Sequence, residues 1–539
     1  MMGENSTLSH IPVSGLAIGL AIVSFLIYAC TVFTLPQVRD ARFCCEEEDF
    51  AAAVSNTMYG APLGTVYSGL ADYFHERWNE PLSLTLEKIR ASDAGLPATP
   101  PGGLYKTTAD GNGVGYSLVV TAAFRMFGMH AWAVQLAMLL LMAISAAAFL
   151  WRFHTSAFAA VVTLYFGALT VMLFTLLGWD PMYGAQIPVG GLRYFTLVDV
   201  LPTFHILLTL LDSRRLRRGE AIRDGLLLAL QTAILLLPML TRGSSLPMIA
   251  AVVLVWGALA WRHRHDRDRL RTLSHELAVM GLASVGGLAA VVAAVPWDYL
   301  AEGRFGAPIW ERVTESLGVN PAWPFPGVAD MFDCKAYAPA AIRRGLSDDN
   351  GHCIWLDYAA KHHIPIEQTG TKIFGRDYET AMREAFFEIA ARYPLDVLKT
   401  FFYYKLTRIP WSIWYSMQFN FNGDQSRASQ RYGTPVLAYS TLALGLLLAS
   451  LVVTLAHFCM TTISKAELRK IAGVTLIAAL FTLPAYFLAW AGPHTSGDLL
   501  LYCLFGFGLA VGTLVVSVRP VPADAFPPAA QPASSRFRC

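Results

Sequence analysis

Four acidic residues stand side by side at Glu46-Glu47-Glu48-Asp49, followed at once by Phe50. Carboxylates held this close repel one another, which raises the pKa of at least one and suits it to accepting a proton. The same run also suits a helix start, because a helix N-terminus favours negative charge by up to about 1 kcal/mol. Ala51 to Tyr59 contains no Pro or Gly, so the spacing predicts a short helix closed by Gly60 as its C-cap, with the acids at its beginning. Charge alone does not separate a proton-accepting site from a solvated helix start. The elements around the run decide.

Of the 539 residues, 55% are hydrophobic and 15% charged, and the mean hydropathy of +0.44 is too high for an ordinary soluble chain. At about 20 apolar residues per span, spans are predicted near 12–35, 130–151, 156–178, 195–211, 225–241, 245–261, 276–296, 433–459, 471–491 and 497–517. The first is longer than a signal-peptide core and lacks a basic segment before it, so it reads as a retained span. The expected fold is an all-α polytopic membrane protein of about ten transmembrane helices with two large, mostly helical extracytoplasmic loops.

Orientation follows from the basic residues of short loops. Arg214, Arg215, Arg217, Arg218 and Arg223 fill one loop, Arg262, Arg264, Arg267, Arg269 and Arg271 a second, and Lys465, Arg469 and Lys470 a third. Span parity puts all three on the side of the N-terminus, which is then the cytoplasm. The termini are expected inside, and residues 36–129 and 297–432 outside. The chain divides into an N-terminal module, 1–296, the outer region 297–432, C-terminal helices 433–517, and a Pro-rich disordered cytoplasmic tail, 518–539. The net charge of +2 says little, because in a membrane protein charge counts by loop and not by sum, and no nucleic-acid partner is expected.

Further residues with chemical potential lie along this map. Asp199 enters the fourth span from the outer side, and an ionisable group at membrane depth costs roughly 3 kcal/mol, enough to mark a site candidate; pairing with Arg193 is the plainer alternative. Arg242 sits in a very short outer loop against the positive-inside bias. Cys334 and Cys353 share the second outer segment and are expected to pair, closing a loop worth about 3 kcal/mol. His352, His362 and His363 have no companion carboxylates at ligand spacing, which argues against zinc. Ala122 to Gly128 reads as an amphipathic surface stretch after a Gly113-Val114-Gly115-Tyr116 turn. Arg376 to Lys399 reads as a helix broken at Pro394 and restarted. There is no phosphate-binding Gly-x-x-x-x-Gly-Lys-Ser/Thr loop and no dinucleotide fingerprint, against an ATP-driven pump and against a nucleotide-sugar donor.

The order of first span, acidic pair, aromatic residue, helix, Gly60, a Gly-x-Gly-Tyr element and Phe124-Arg125-Met126-Phe127-Gly128 before the second span resembles the multi-span C-type glycosyltransferases. It resembles most their bacterial branch, related to protein O-mannosyltransferases and lipid A aminoarabinose transferases. Those proteins carry an acid pair, two residues, then Tyr. Phe50 laid on that Tyr puts Glu46 and Glu47 on the pair, while a shifted alignment puts Asp49 on the catalytic position. The resemblance implies a polyprenyl-phosphate-linked sugar donor, a lipid, glycan or protein acceptor, and a site at the outer face of a bacterial inner membrane. It also implies that Arg242 meets the lipid phosphate and that Asp199 and Arg193 belong to substrate binding. Some such proteins use a divalent ion, which paired carboxylates could hold. Two other classes fit the composition: a flippase of lipid-linked sugars, with Asp199 and Arg242 on its path, and a non-enzymatic membrane assembly protein. No inverted repeat supports the flippase.

Overall fold

The computed structural model describes residues 47–77, 80–92, 94–96, 105–107, 114–153, 179–180, 185–186, 196–211, 218–241, 246–301, 309–323, 325–328, 331–332, 347–365, 375–405 and 407, with positions 22 and 26. Those two positions apart, the spans expected at 12–35, 156–178, 433–459, 471–491 and 497–517, and the tail, lie outside the described residues.

The acidic run opens helix α1, Glu47–Tyr59. It stops where the sequence predicts, at Gly60, whose φ of +69° is left-handed backbone that a residue without Cβ adopts at no steric cost. The Gly60 amide closes the helix on the Asn56 carbonyl at 3.1 Å. Strand β1, Thr65–Tyr67, leads into α2, Ser68–Glu76, and α3, Leu82–Arg90. Strand β2, Tyr105–Thr107, then returns antiparallel to β1, pairing Val66 with Lys106. This stretch, expected to be mostly helical, thus carries a small two-stranded ladder beside its helices.

Helix α4, Val114–Phe127, corrects the reading of a glycine turn followed by a surface stretch. Gly115 is inside the helix, and Ala123 and Phe124 are buried, because α1 covers that face. Next come α5, Ala131–Phe153, the short pair β3 and β4 at Trp179–Asp180 and Ala185–Gln186, and a 3-10 turn, Thr196–Asp199. The bundle continues with α6, Val200–Leu211, α7, Arg218–Thr241, α8, Leu246–Arg262, and α9, Arg267–Ala294. Helices α5, α7 and α9 are each long and apolar enough to cross a membrane. Arg267, Arg269 and Arg271, expected in a loop, form the opening turns of α9; Asp266 caps it by accepting from the Arg269 amide at 3.1 Å.

Contacts between helix ends divide this bundle into two poles. At one, the start of α4 meets the end of α7, the Leu63 amide donates to the Ala294 carbonyl at the end of α9 (3.2 Å), and Val114, Leu240, Val291 and Val295 share one apolar cluster. At the other, the end of α5 meets the start of α7 through the ion pair Arg152–Asp224, 2.9 Å between Nε and Oδ2. There also Arg269 donates to the Leu210 carbonyl, joining the start of α9 to the end of α6. The arginine-rich turns lie at the second pole. Midway, Gln231 on α7 brackets α5 and α6: its amide nitrogen donates to the Ser145 carbonyl at 2.8 Å and faces His205 Nδ1 at 3.4 Å, while its oxygen accepts from the Ser145 hydroxyl at 2.7 Å. Inside an apolar bundle such mutual satisfaction fixes which faces meet.

After α10, Trp297–Ala301, the chain forms a separate core from α11, Trp310–Glu315, a 3-10 turn, Ser316–Val319, α12, Ser347–Lys361, α13, Arg376–Arg392, and α14, Pro394–Lys399. The helix, proline, helix pattern appears as expected. Leu317, Phe325, Trp355, Tyr378, Met382 and Ile389 pack at its centre. Burial, with Glu311 and Glu315 beside it, holds the Tyr378 hydroxyl well above the ordinary tyrosine range. Cys353 is disulfide-bonded; every other cysteine, including the expected partner Cys334, lies outside the described residues.

One side chain starts this separate core. The Glu379 carboxylate on α13 accepts from the amides of Ile309, Trp310 and Glu311 at 2.9, 2.9 and 3.0 Å, satisfying donors that the first turn of α11 cannot bond internally. Glu379→Ala is expected to speed amide exchange at 309–311 by roughly 5- to 30-fold, the equivalent of about 1–2 kcal/mol. Unchanged exchange there would remove this role.

Candidate active site

Of the two acids of the run whose side chains are described, Glu48 and Asp49, the structure buries Asp49. It is only 2% exposed, and its Oδ1 accepts from the Ser117 hydroxyl at 2.6 Å. Glu48 beside it is half-buried. Glu47 is the first residue of α1, but its side chain, like the whole of Glu46, lies outside the described residues.

The geometry follows from local sequence. Asp49 is in the first turn of α1, and Phe50 next to it turns inward, meeting Tyr116 edge-to-face at 6.2 Å between ring centroids. That contact sets α1 against the first turn of α4, where Ser117 follows Tyr116. Ser55, farther along α1, accepts from the Tyr67 amide at 3.0 Å and so ties the helix to β1. A Cβ on Gly115 would lie 2.5 Å from the Leu237 carbonyl oxygen and 2.6 Å from Thr241 Oγ1. Only glycine lets α4 approach α7 this closely, and that approach places Ser117.

A buried carboxylate must be hydrogen-bonded, and one retained in an apolar bundle is costly. Farther along the same two helices lie two more buried polar atoms. The Thr121 hydroxyl, one helical turn beyond Ser117, and Asn56 Oδ1 on α1 are buried with no hydrogen-bond partner among the described residues. Sequence reasoning passed over Ser117 and Thr121; the available signal was their i, i+4 spacing, which puts two hydroxyls on one face of an apolar helix.

Asp199 is completely buried, at the end of the 3-10 turn that feeds α6. Its carbonyl accepts from the Thr203 hydroxyl at 2.7 Å, and the turn packs on α5, α6 and α7. Val198 and Val200 on either side belong to the same apolar core as Phe50 and Tyr116. Asp199 thus enters the bundle at the end of α6 remote from Leu210 and the arginine-rich pole. Arg193 and Arg242 lie outside the described residues. Among the described residues, no group of three or more His, Cys, Asp or Glu is placed to hold a metal ion.

Fold and site together define an all-α membrane protein with a buried acid on the helix after its first apolar segment. No family model matches the chain, and no curated protein matches it. Among solved structures it is similar to ArnT from Cupriavidus metallidurans. The form bound to undecaprenyl phosphate aligns over 94% of this chain and 78% of its own, at 13% identity and a TM-score of 0.33. The apo form aligns over 93% and 77%, at 12% identity and a TM-score of 0.32. A superposition this loose transfers no residue and no chemistry to this chain.

Proposed function

We propose that the chain is an integral membrane glycosyltransferase that moves a sugar from a polyprenyl-phosphate donor to an acceptor hydroxyl at the outer face of the membrane. The observation that carries the reading is the buried Asp49 carboxylate, oriented by Ser117 at the end of the bundle away from the arginine-rich turns. By the positive-inside bias that end is extracytoplasmic, and the disulfide at Cys353 fits an oxidising compartment.

In this reading a carboxylate of the set Glu46, Glu47 and Asp49 takes the proton of the acceptor hydroxyl as its oxygen attacks the anomeric carbon. The bond from that carbon to the phosphate oxygen breaks, and single displacement inverts the centre. Arg242 meets the charge that grows on the leaving lipid phosphate, while Asp199 and Arg193 hold the sugar. The test is transfer from a labelled polyprenyl-phosphate sugar by purified protein in lipid vesicles. Movement of the labelled lipid across the bilayer without transfer would replace this reading with a flippase.

Ser117 gives a finer test. Ser117→Ala should lower kcat/KM about tenfold, the scale of one hydrogen bond to a charged group, with KM for the donor little changed and Ser117→Thr recovering part of the loss. An unchanged kcat/KM in the alanine variant would show that the hydroxyl does not position the base.

A further inference from the structure

The end of the second outer segment carries an apolar face that its own core does not cover. Leu395, Leu398, Phe402 and Tyr403 are 69, 52, 65 and 59% exposed, on α14 and the π turn, Thr400–Tyr404, that continues it. Positions 395, 398 and 402 follow the i, i+3, i+7 rule of a single helix stripe. The opposite side is committed to the core: Val397 is buried, and the Thr400 hydroxyl accepts from Asn320 Nδ2 at 3.0 Å and donates to the Asp396 carbonyl at 2.7 Å. The stripe is therefore not a helix turned the wrong way.

Its flanks say what covers it. Lys399 lies within the stripe, four residues after Leu395, and Arg392 ends the preceding helix; both are exposed. Asp396, half-buried, is the acid nearest in sequence. From Phe401 the chain is dense in amphipathic aromatics, with Tyr403, Tyr404, Trp411, Trp414 and Tyr415 within fifteen residues. Apolar side chains in one row, cations beside them and aromatic residues following are the composition of a helix lying in the boundary between lipid headgroups and acyl chains.

We propose that the Leu395–Tyr403 face is a lipid-contact surface: it rests in the outer boundary of the bilayer, with Lys399 and Arg392 on the phosphates of anionic lipids. The outer core is then fastened to the membrane by this helix as well as by the chain that leads into it, whatever reaction the protein performs.

The test uses the full chain in vesicles of phosphatidylethanolamine and phosphatidylglycerol. A benzophenone amino acid is placed at 398 or 402, with exposed Glu388 on α13 as the control position, and irradiated. Phospholipid adducts are expected at 398 and 402 at several times the yield at 388, with phosphatidylglycerol enriched at least twofold over its share of the vesicle. That enrichment should be lost in Lys399→Gln/Arg392→Gln. Adducts to a second protein, or no lipid adduct, would overturn the surface; adducts in the bulk lipid ratio would overturn the role of the cations. The unsubstituted protein gives an independent reading. Under hydroxyl-radical oxidation in vesicles, Tyr403 should be protected to the level of buried Tyr378, and oxidation at the rate of a solvated tyrosine would sink the proposal.

Discussion

Asparagine at position 49 is expected to lower sugar transfer on the order of 100-fold or more, the contribution of a positioned general base, while the protein keeps its thermal midpoint. The two effects separate because Asn is isosteric with Asp and its Oδ1 can still accept from Ser117, which donates at 2.6 Å in the unsubstituted protein. What Asn cannot do is take a proton from an acceptor hydroxyl. Glu46→Gln and Glu47→Gln belong in the same series, and the variant with the largest loss identifies the base. If all three and their triple combination transfer at full rate, the acidic run has no catalytic part. If Asp49→Asn loses activity only in step with thermal stability, Asp49 serves to pin α1 to α4 and the base is elsewhere.

Glu46 and Glu47 lead the expectation and their side chains lie outside the described residues; what the structure adds is the setting of Asp49, which sequence distance hid. The resemblance orders the acids by their spacing from Phe50, and spacing does not say which carboxylate faces inward. The Ser117 hydroxyl that holds Asp49 lies 68 residues away, on a helix whose approach depends on Gly115. Read alone, Gly113-Val114-Gly115 looks like a turn, because glycine in a helix interior costs about 1 kcal/mol. In the structure Gly115 is helical, and it is glycine because α7 leaves no room for a Cβ. Local signals did carry through wherever the cause was local. The stop at Gly60, the break before Pro394, and the cores of the apolar helices at Ala131–Phe153, Val200–Leu211 and Leu246–Arg262 all follow from adjacent residues. Arginines assigned to loops instead open helices: Arg218 and Arg267 begin α7 and α9, since a helix can leave the apolar layer without ending.

At the arginine-rich pole, Asp224→Leu is expected to destabilise the protein by about 3–5 kcal/mol, whereas Arg152→Met combined with Asp224→Leu should recover most of that loss. Arg152 and Asp224 are both nearly inaccessible, with 2.9 Å between Nε and Oδ2, and Arg223 donates to Asp224 Oδ1 from Nε and Nη2 at 3.2 Å each. Their solvation has been given up for each other. Removing Asp224 leaves the Arg152 guanidinium buried beside Phe153, 5.2 Å from the ring centroid, and cation–π attraction of about 0.5–2 kcal/mol does not replace a carboxylate. Removing both charges and filling the space with apolar side chains takes away the attraction and the desolvation cost together. Thermal unfolding of the full chain in lipid, as a double-mutant cycle, measures the coupling directly. A pair that only decorates the end of the bundle would give additive losses below about 1 kcal/mol. A coupling of several kcal/mol would establish that this pair holds the end of α5 on the start of α7. Because α7 also carries the close contact with Gly115 at its far end, the double variant tests the link between poles. If α7 transmits no shift, sugar transfer in that variant should stay within a few-fold of the parent.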